Sequence, residues 1–367
     1  MRYFTLLLSF AVATAILIFP ASASDDVRDG YTRQSNPRTL TEEQSQKAAQ
    51  NYQRYCALCH GENREGHAND HAPSLRSKSL MESGVPHSIL RPLSYGREGT
   101  AMGGYLDEVG GPLTLDEAWN LTYWLFWQSG ATRVRLSEDP VEGDSAKGAE
   151  LYANVCASCH GTQGEGVSAP ALWNPSFLAH NKDEFIRYAI RHGREDTPMV
   201  AFENSLSPDD IDNITAFLRS QADGTALGKP VLSALPAPED YIINPTHDDP
   251  DFTLKDDLYV MAADLNTAMQ DRKRMVLLDT RVPSVWQRAH LEGAVPVPYY
   301  TDVDDLMRDI PKDVQIVAYC SCPRAAADYL VGKLRDMGYT RTAVMWEGIF
   351  GWMNMGFPVV RGELEAE

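Results

Sequence analysis

Two copies of one short motif, in matching positions of two similar segments, constrain this chain more than any other feature. Each copy has two cysteines separated by two residues and followed at once by a histidine. The copies are Cys56-Ala57-Leu58-Cys59-His60 (motif 1) and Cys156-Ala157-Ser158-Cys159-His160 (motif 2). Two thiols on one turn are spaced to add across the two vinyl groups of haem, and the adjacent imidazole lies under the iron. The pattern therefore predicts two covalently bound haem c groups, with His60 and His160 as iron ligands.

Disulfides or zinc sites could also account for the close cysteine pairs. Paired cysteines form disulfides in exported proteins, and CxxC pairs also bind zinc. The histidine after each pair favours haem, because it stands in the same place in both copies. A third pair, Cys320 and Cys322, has no such histidine and needs a separate account.

The sequence around the two motifs repeats as well. Gly96 to Met102 matches Gly193 to Met199, and Thr114 to Leu125 aligns without a gap to Ser207 to Leu218. The last pair of segments opens with Thr-x-x-Glu in one copy and Ser-x-x-Asp in the other, which predicts a capped helix start in both. The chain therefore contains two copies of one helical fold unit.

On these motifs, residues 41–130 and 145–221 resemble class I cytochrome c domains, which are all-α. In that family the second axial ligand is usually a methionine on the loop before the closing helix. The resemblance implies Met102 and Met199 for that role, and a Met thioether raises the iron potential relative to a second imidazole. Other side chains compete for the position: Met81, His67, His71 and His87 in the first copy, and His180 and His192 in the second.

The N-terminus has the form of an export signal. Arg2 supplies a positive charge, an uncharged apolar run follows from Phe4 to Phe19, and Ala21-Ser22-Ala23 has small residues where a peptidase cuts. This pattern predicts a signal peptide over residues 1–23 and a periplasmic location. The alternative is an uncleaved membrane anchor, because the run is only slightly shorter than a bilayer span.

The charge of the chain limits its partners. It has 33 Lys and Arg against 51 Asp and Glu, a formal net charge of −18. A nucleic-acid backbone would be repelled by such a surface, so nucleic-acid binding is excluded. We expect redox protein partners with basic docking surfaces.

The composition changes after the second helical segment. Residues 222–257 are rich in Pro, Gly and Asp and show little periodicity, which predicts an extended connector that lies over a neighbouring domain. From about Leu258 onwards, short apolar runs alternate with helical patterns. Met275–Leu278, 315–319 and 343–345 are expected to be strands, and a helix is expected from Arg324 to Met337. This alternation predicts a parallel sheet, with Cys320 just beyond the end of a strand.

Residues 258–362 resemble a rhodanese domain. The motifs that give this resemblance are Asp279-Thr280-Arg281, His290-Leu291-Glu292-Gly293-Ala294, Tyr319-Cys320 and Trp346-Glu347-Gly348-Ile349-Phe350-Gly351-Trp352. The family moves sulfane sulfur through a persulfide on a loop cysteine, and the resemblance implies that Cys320 has this role. We expect backbone N–H groups of the loop and the start of the next helix to lower its pKa, with Arg324 binding an oxyanion.

The loop of this chain departs from the family pattern. Pro323 stands where Gly is common, Ala325 replaces a frequent Ser, and Pro offers no N–H to an anion. Cys322 is close enough in sequence to trap Cys320 as a disulfide or to resolve a persulfide. An inactive rhodanese fold used for docking is therefore the alternative to a sulfurtransferase acting on thiosulfate or a persulfide.

Together these features predict a periplasmic dihaem electron-transfer protein that is coupled to sulfane-sulfur or thiol chemistry at Cys320. The alternative is an electron carrier whose C-terminal domain only binds a partner. A dihaem peroxidase is disfavoured because Met102 and Met199 would close both irons. A dihaem thiosulfate-oxidising enzyme with a cysteine ligand is disfavoured because no further cysteine remains in either helical segment.

Overall fold

The computed structural model describes residue 28 and residues 30–66, 72–97, 99–222, 230–321 and 324–364. The predicted signal peptide, Cys322, His67 and His71 lie outside these described residues. Within the described ranges, no helix combines the length and the apolar character needed to cross a bilayer.

Helical domain 1 is a bundle in which the first long helix packs across the last one. Tyr52 and Leu121 are fully buried in its core. The predicted cap is confirmed, since the Glu117 N–H donates to Thr114 Oγ1 (3.3 Å) and the Thr114 N–H donates to the Glu117 carboxylate (3.0 Å). Its elements are β1 (Thr32–Arg33), α1 (Glu42–Tyr55), α2 (Ala57–His60), α3 (Lys78–Ser83), α4 (Pro86–Tyr95), α5 (Leu115–Ser129) and β2 (Val134–Arg135), and β1 pairs with β2.

Helical domain 2 repeats this order of helices. Its elements are α6 (Ser145–Val155), α7 (Ala157–His160), α8 (Pro175–His180), α9 (Asp183–His192) and α10 (Pro208–Ser220). The second predicted cap is also confirmed, because Ser207 Oγ accepts from the Asp210 N–H at 3.2 Å and the Asp210 carboxylate accepts from the Ser207 N–H at 3.1 Å. The predicted repeat is therefore present in the fold.

The two helical domains face each other in a reciprocal way. Helix α3 packs against α9, and α4 packs against α8. Because α3 matches α8 and α4 matches α9 in the repeat, each domain uses the same two helices. Glu82 on α3 accepts hydrogen bonds from Tyr188 Oη (2.7 Å) and Arg28 Nε (2.9 Å). Ser79 Oγ donates to the Gly193 carbonyl at 2.7 Å.

The α/β domain has a twisted sheet in the order β3-β5-β8-β9-β4, with β7 also paired to β5. Strands β4, β9, β8, β5 and β7 are parallel, which confirms the predicted sheet. Apolar clusters on both faces bury its central strands. Its elements are β3 (Ile242–Ile243), β4 (Tyr259–Val260), α11 (Ala262–Gln270), β5 (Met275–Asp279), α12 (Pro283–Arg288), β6 (Ala289–His290), β7 (Ala294–Pro296), α13 (Val303–Leu306), β8 (Ile316–Tyr319), α14 (Ala325–Asp336), β9 (Thr342–Met345), α15 (Gly348–Asn354) and β10 (Val360–Arg361).

The segment expected to be a connector contributes to this domain. Ile242–Ile243 pairs antiparallel with the start of β5, and Tyr241 joins the apolar cluster beneath the sheet. Further upstream, the Ser233 hydroxyl donates to Gln287 Oε1 at 2.6 Å. The β-branched Ile pair suits an edge strand, although two residues are too few for an alternating pattern to be visible in the sequence.

Gly148 generates a prediction about helix packing. On α6 it lies so close to α10 that an added Cβ would overlap the Asn213 carbonyl oxygen. We expect Gly148→Ala to lower the free energy of unfolding by about 2 kcal/mol, because backbone shifts outweigh the better helix propensity of Ala. Denaturant unfolding followed by circular dichroism measures the change.

Gly332 on α14 is the matched control, since an added Cβ there meets nothing within 4 Å. Gly332→Ala is expected to raise stability by about 0.5–1 kcal/mol through helix propensity alone. Equal stabilisation in both variants would contradict the packing argument.

Candidate functional site

Motif 1 lies at a break between two helices. Helix α1 ends at Tyr55, Cys56 is the capping residue, and the short helix α2 stops at Gly61, which has φ 81°. This break places Cys56 and Cys59 on one turn with His60 directly after them. Motif 2 has the same arrangement, with α6 ending at Val155 and Gly161 at φ 88°.

The histidine of each motif is oriented by a backbone carbonyl. His60 Nδ1 lies 2.9 Å from the Pro73 carbonyl oxygen, and His160 Nδ1 lies 2.8 Å from that of Pro170. A carbonyl only accepts hydrogen bonds, so Nδ1 must hold the proton and Nε2 keeps its lone pair for a metal. Burial lowers the pKa of both rings, which also favours the neutral form that binds iron.

The two predicted methionine ligands lie on loops of the same geometry. The Arg97 N–H donates to the Met102 carbonyl at 2.7 Å, and the Arg194 N–H donates to that of Met199 at 2.8 Å. The N–H of each methionine donates to a threonine hydroxyl at 3.2 Å. Iron ligation by Met102 and Met199 remains a prediction.

Four of the side chains that compete with Met102 and Met199 for the second iron position are described by the structure, and each lies in a different environment. Met81 is fully buried in the core of helical domain 1. His87 is exposed and stacks edge-on against Trp119, with ring centres 5.1 Å apart. His180 Nδ1 bonds the carbonyl of its own helix at 2.7 Å, and His192 lies against Tyr188 with ring centres 4.4 Å apart.

Buried hydrogen-bond donors and buried charges indicate whether these pockets fit haem. Arg64 Nε and Trp173 Nε1 are buried N–H groups without an acceptor in the described structure. Burial lowers the pKa of Arg97 and of Arg194 to about 10. Haem has two propionate carboxylates, which would accept from such donors and compensate such charges. The residues present therefore fit the group in both domains.

Cys320 lies at the carboxyl-end edge of the parallel sheet, directly after β8 and beside the end of β5. A buried ion pair stands next to it, with Arg281 Nε 2.8 Å and Nη2 2.5 Å from the two carboxylate oxygens of Asp279. Thr280 lies between these two residues, and its hydroxyl donates to the Tyr319 carbonyl at 3.0 Å. The sequence placed Cys320 correctly at this edge, where open α/β sheets bind ligands.

The expected lowering of the Cys320 pKa is wrong in this arrangement. Burial, with a smaller contribution from the Asp279 charge, raises the pKa of the thiol to about 12, while Thr280 and Arg281 act in the opposite direction. Cys320 is partly buried beside helical domain 1, so the cost of desolvating a thiolate outweighs the favourable effects of Thr280 and Arg281. Cys320 is therefore a neutral thiol near pH 7.

Arg324 is not brought together with Cys320. Its guanidinium stacks over the Trp346 ring at 3.6 Å, and Nη1 donates to the Trp346 carbonyl at 3.0 Å. The guanidinium whose charge acts on Cys320 is that of Arg281. The sequence signal for Arg281 was its place in the Asp279-Thr280-Arg281 motif.

Cys320 faces helical domain 1, and the part of that domain nearest to it is motif 1. Tyr299 Oη donates to the Tyr55 carbonyl at 2.8 Å, immediately before Cys56. The Tyr300 ring packs edge-on against the Tyr55 ring, with centres 4.9 Å apart. Cys59 is close enough for its charge to influence the pKa of Cys320 and of Tyr299.

The same contact extends to the methionine loop of helical domain 1. Ser284 Oγ donates to the Gly104 carbonyl and accepts from the Gly104 N–H, both at 2.9 Å. Gly103 is buried against Val282, and an added Cβ would overlap the Val282 side chain. The α/β domain therefore covers motif 1 and the loop of Met102 together. Nothing in the sequence alone indicated this contact.

Comparisons with known proteins match two separate parts of the chain. The family model described as cytochrome c oxidase, cbb3-type, subunit III matches residues 143–218, and the rhodanese-like domain model matches residues 261–355. A cbb3-type cytochrome c oxidase subunit CcoP of Helicobacter pylori is 24% identical over 143 residues, which are 38% of this chain and 46% of that protein. The chain thus spans about half the length of that relative.

Two smaller relatives are covered almost completely. Cytochrome c6 of Euglena gracilis is 33% identical over 82 residues, 21% of this chain and 92% of that protein. A sulfurtransferase of Allochromatium vinosum is 28% identical over 99 residues, 27% of this chain and 91% of that protein. With the geometry of the two motifs and of the parallel sheet, these matches show that the chain belongs to the c-type cytochromes and has a rhodanese-like domain at its C-terminal end.

Proposed function

We propose that this protein is a periplasmic dihaem electron carrier in which oxidation of sulfur at Cys320 supplies electrons to the haem at motif 1. One observation supports the coupling above all: the Cys320 edge of the rhodanese-like sheet lies against motif 1.

The likeness of the two motifs supports a count of two haems. Each has a broken helix, a histidine held by a proline carbonyl, a methionine loop and buried donors without acceptors. When bound, haem c takes up and releases one electron at its iron. Arg97 and Arg194 would bind the propionates near the boundary between the helical domains, since Arg97 stacks on Phe177 at 5.3 Å and Arg194 donates to Ser79 Oγ at 3.2 Å.

The chemistry at Cys320 involves two electrons. With hydrogen sulfide as the co-reactant, the Cys320 thiol and one sulfide molecule give the Cys320 persulfide, two protons and two electrons. One S–S bond forms and two S–H bonds break. Two electrons match two one-electron carriers, and the persulfide can pass its outer sulfur to a thiophilic acceptor. Arg281 and Thr280 would stabilise the sulfur anion as each proton leaves.

A second candidate function is an electron carrier whose rhodanese-like domain has no sulfurtransferase activity and only binds a partner protein. The raised pKa of Cys320 and its cover by helical domain 1 favour this function. A neutral thiol is a poor nucleophile. Sulfur transfer from thiosulfate to cyanide separates the two candidates, since the docking function predicts no turnover.

The first functional prediction concerns haem reduction. After oxidised protein is mixed with sulfide in a stopped-flow instrument, the haem α-band is expected to rise about tenfold more slowly in Cys320→Ala than in the wild type, because the thiol that forms the S–S bond is missing. Dithionite, which needs no thiol, should reduce both proteins at the same rate. If sulfide reduces the haems of the wild type and of Cys320→Ala at equal rates, Cys320 does not supply electrons to haem.

A second prediction concerns the cover over Cys320. In the holoprotein the four motif cysteines are thioethers, so a maleimide reacts only with Cys320 and Cys322, which peptide mass spectrometry distinguishes. Gly103→Val should speed labelling of Cys320 by about tenfold or more, because the new side chain overlaps Val282 and separates the domains. Adding Val282→Ala should restore slow labelling. Fast labelling of the wild type would contradict a covered site.

A third prediction follows from the pKa of about 12. Only the thiolate reacts, and its fraction rises as pH rises towards the pKa. Labelling of Cys320 in the wild type should therefore increase by about tenfold per pH unit from about pH 7 to about pH 10 without a plateau. A plateau near about pH 8 to 9 would show an ordinary, solvent-exposed thiol.

A further inference from the structure

We propose that helical domain 2 docks a separate one-electron redox protein on its apolar surface around motif 2. This exit surface consists of Cys159, Val167, Val200 and Ala201, and its partner has a basic contact face. The proposal rests on the proposed function only in requiring haem at motif 2. It assigns the two haems different neighbours: Cys320 beside the first and an external protein beside the second.

The internal repeat identifies which positions correspond. The Tyr105 N–H donates to the Leu93 carbonyl at 2.9 Å, and the Phe202 N–H donates to that of Ile190 at 3.0 Å. These bonds align the two loops residue by residue after the methionine. Gly103 therefore corresponds to Val200, and Gly104 corresponds to Ala201.

The corresponding surfaces differ in what covers them. In helical domain 1, Gly103 and Gly104 are buried beneath the α/β domain. In helical domain 2, Val200 is 62% exposed and Ala201 is exposed too. Val167 is 56% exposed, and its N–H donates to the Cys159 carbonyl at 3.1 Å, so it adjoins motif 2 directly. The face that is an interface in one copy is thus an uncovered apolar face in the other.

A second rhodanese-like domain does not fit this face in the same way. Gly103 contacts Val282 so closely that even one added carbon would overlap it. Val200 carries a branched side chain at the corresponding position. The exit surface therefore excludes the domain that motif 1 accepts and requires a partner of different shape.

The charge of the chain indicates the kind of partner. Glu165 and Glu203 are exposed and are close in sequence to the exit surface, two residues before Val167 and three residues after Val200. The whole chain has a formal net charge of −18. An apolar centre with a charged rim is the usual form of a transient redox interface, and the opposite charge on the partner speeds encounter. A basic electron-transfer protein satisfies both conditions.

The test compares two exposed apolar positions in the full-length holoprotein. Val200→Lys should weaken binding of a basic mitochondrial cytochrome c, used as the probe, by about tenfold, and slow its reduction by the dithionite-reduced protein to a similar degree. Leu115→Lys is the matched control, because Leu115 is 53% exposed at the start of α5 in helical domain 1. It makes the same change of charge and should alter neither quantity. Calorimetry measures the binding directly.

Ferricyanide oxidation shows whether the haem site of Val200→Lys is intact, since this small oxidant needs no docking surface. If that rate or the near-infrared band of Met-ligated iron changes, Val167→Lys is measured in its place with the same expected loss. Wild-type binding by an intact variant would overturn the proposal, as would equal weakening by Leu115→Lys. Because dithionite supplies the electrons, a failure of sulfur coupling at Cys320 leaves this result unaffected.

Discussion

The contact between the rhodanese-like sheet edge and motif 1 is the interaction on which the other functional features depend. It is made by the Tyr299 hydroxyl on the Tyr55 carbonyl and by Ser284 on both backbone groups of Gly104. These bonds hold Cys320 near Cys59 at the boundary between the two domains.

Burial of Cys320 beside helical domain 1 disfavours the charged thiolate, which accounts for the protonation state of this residue. Removing water from the loop penalises the thiolate more than Arg281 and Thr280 favour it, so the thiol stays protonated. In the proposed sulfur chemistry, the same partial burial would strengthen the action of Arg281 on an anion formed at Cys320. Low reactivity towards solvent and close contact with motif 1 are therefore two results of one packing arrangement.

The two cytochrome copies differ in what lies against them. Their internal geometry is nearly the same, from the histidine carbonyl bonds to the methionine loops. They differ on the outer face, where Gly103 admits Val282 and Val200 would exclude it. The residue after the methionine is thus one of the positions that distinguish the covered copy from the open one.

The sequence by itself determined the features that depend on local spacing. Cysteine and histidine on one turn, the caps at Thr114 and Ser207, and the parallel strand ending at Cys320 all follow from neighbours a few residues apart. Only the tertiary structure decided that Tyr299 meets Tyr55, that Arg281 rather than Arg324 acts on Cys320, and that the Cys320 pKa rises. These features depend on residues that are far apart in the chain, and the local spacing in a single sequence does not record which distant residues meet.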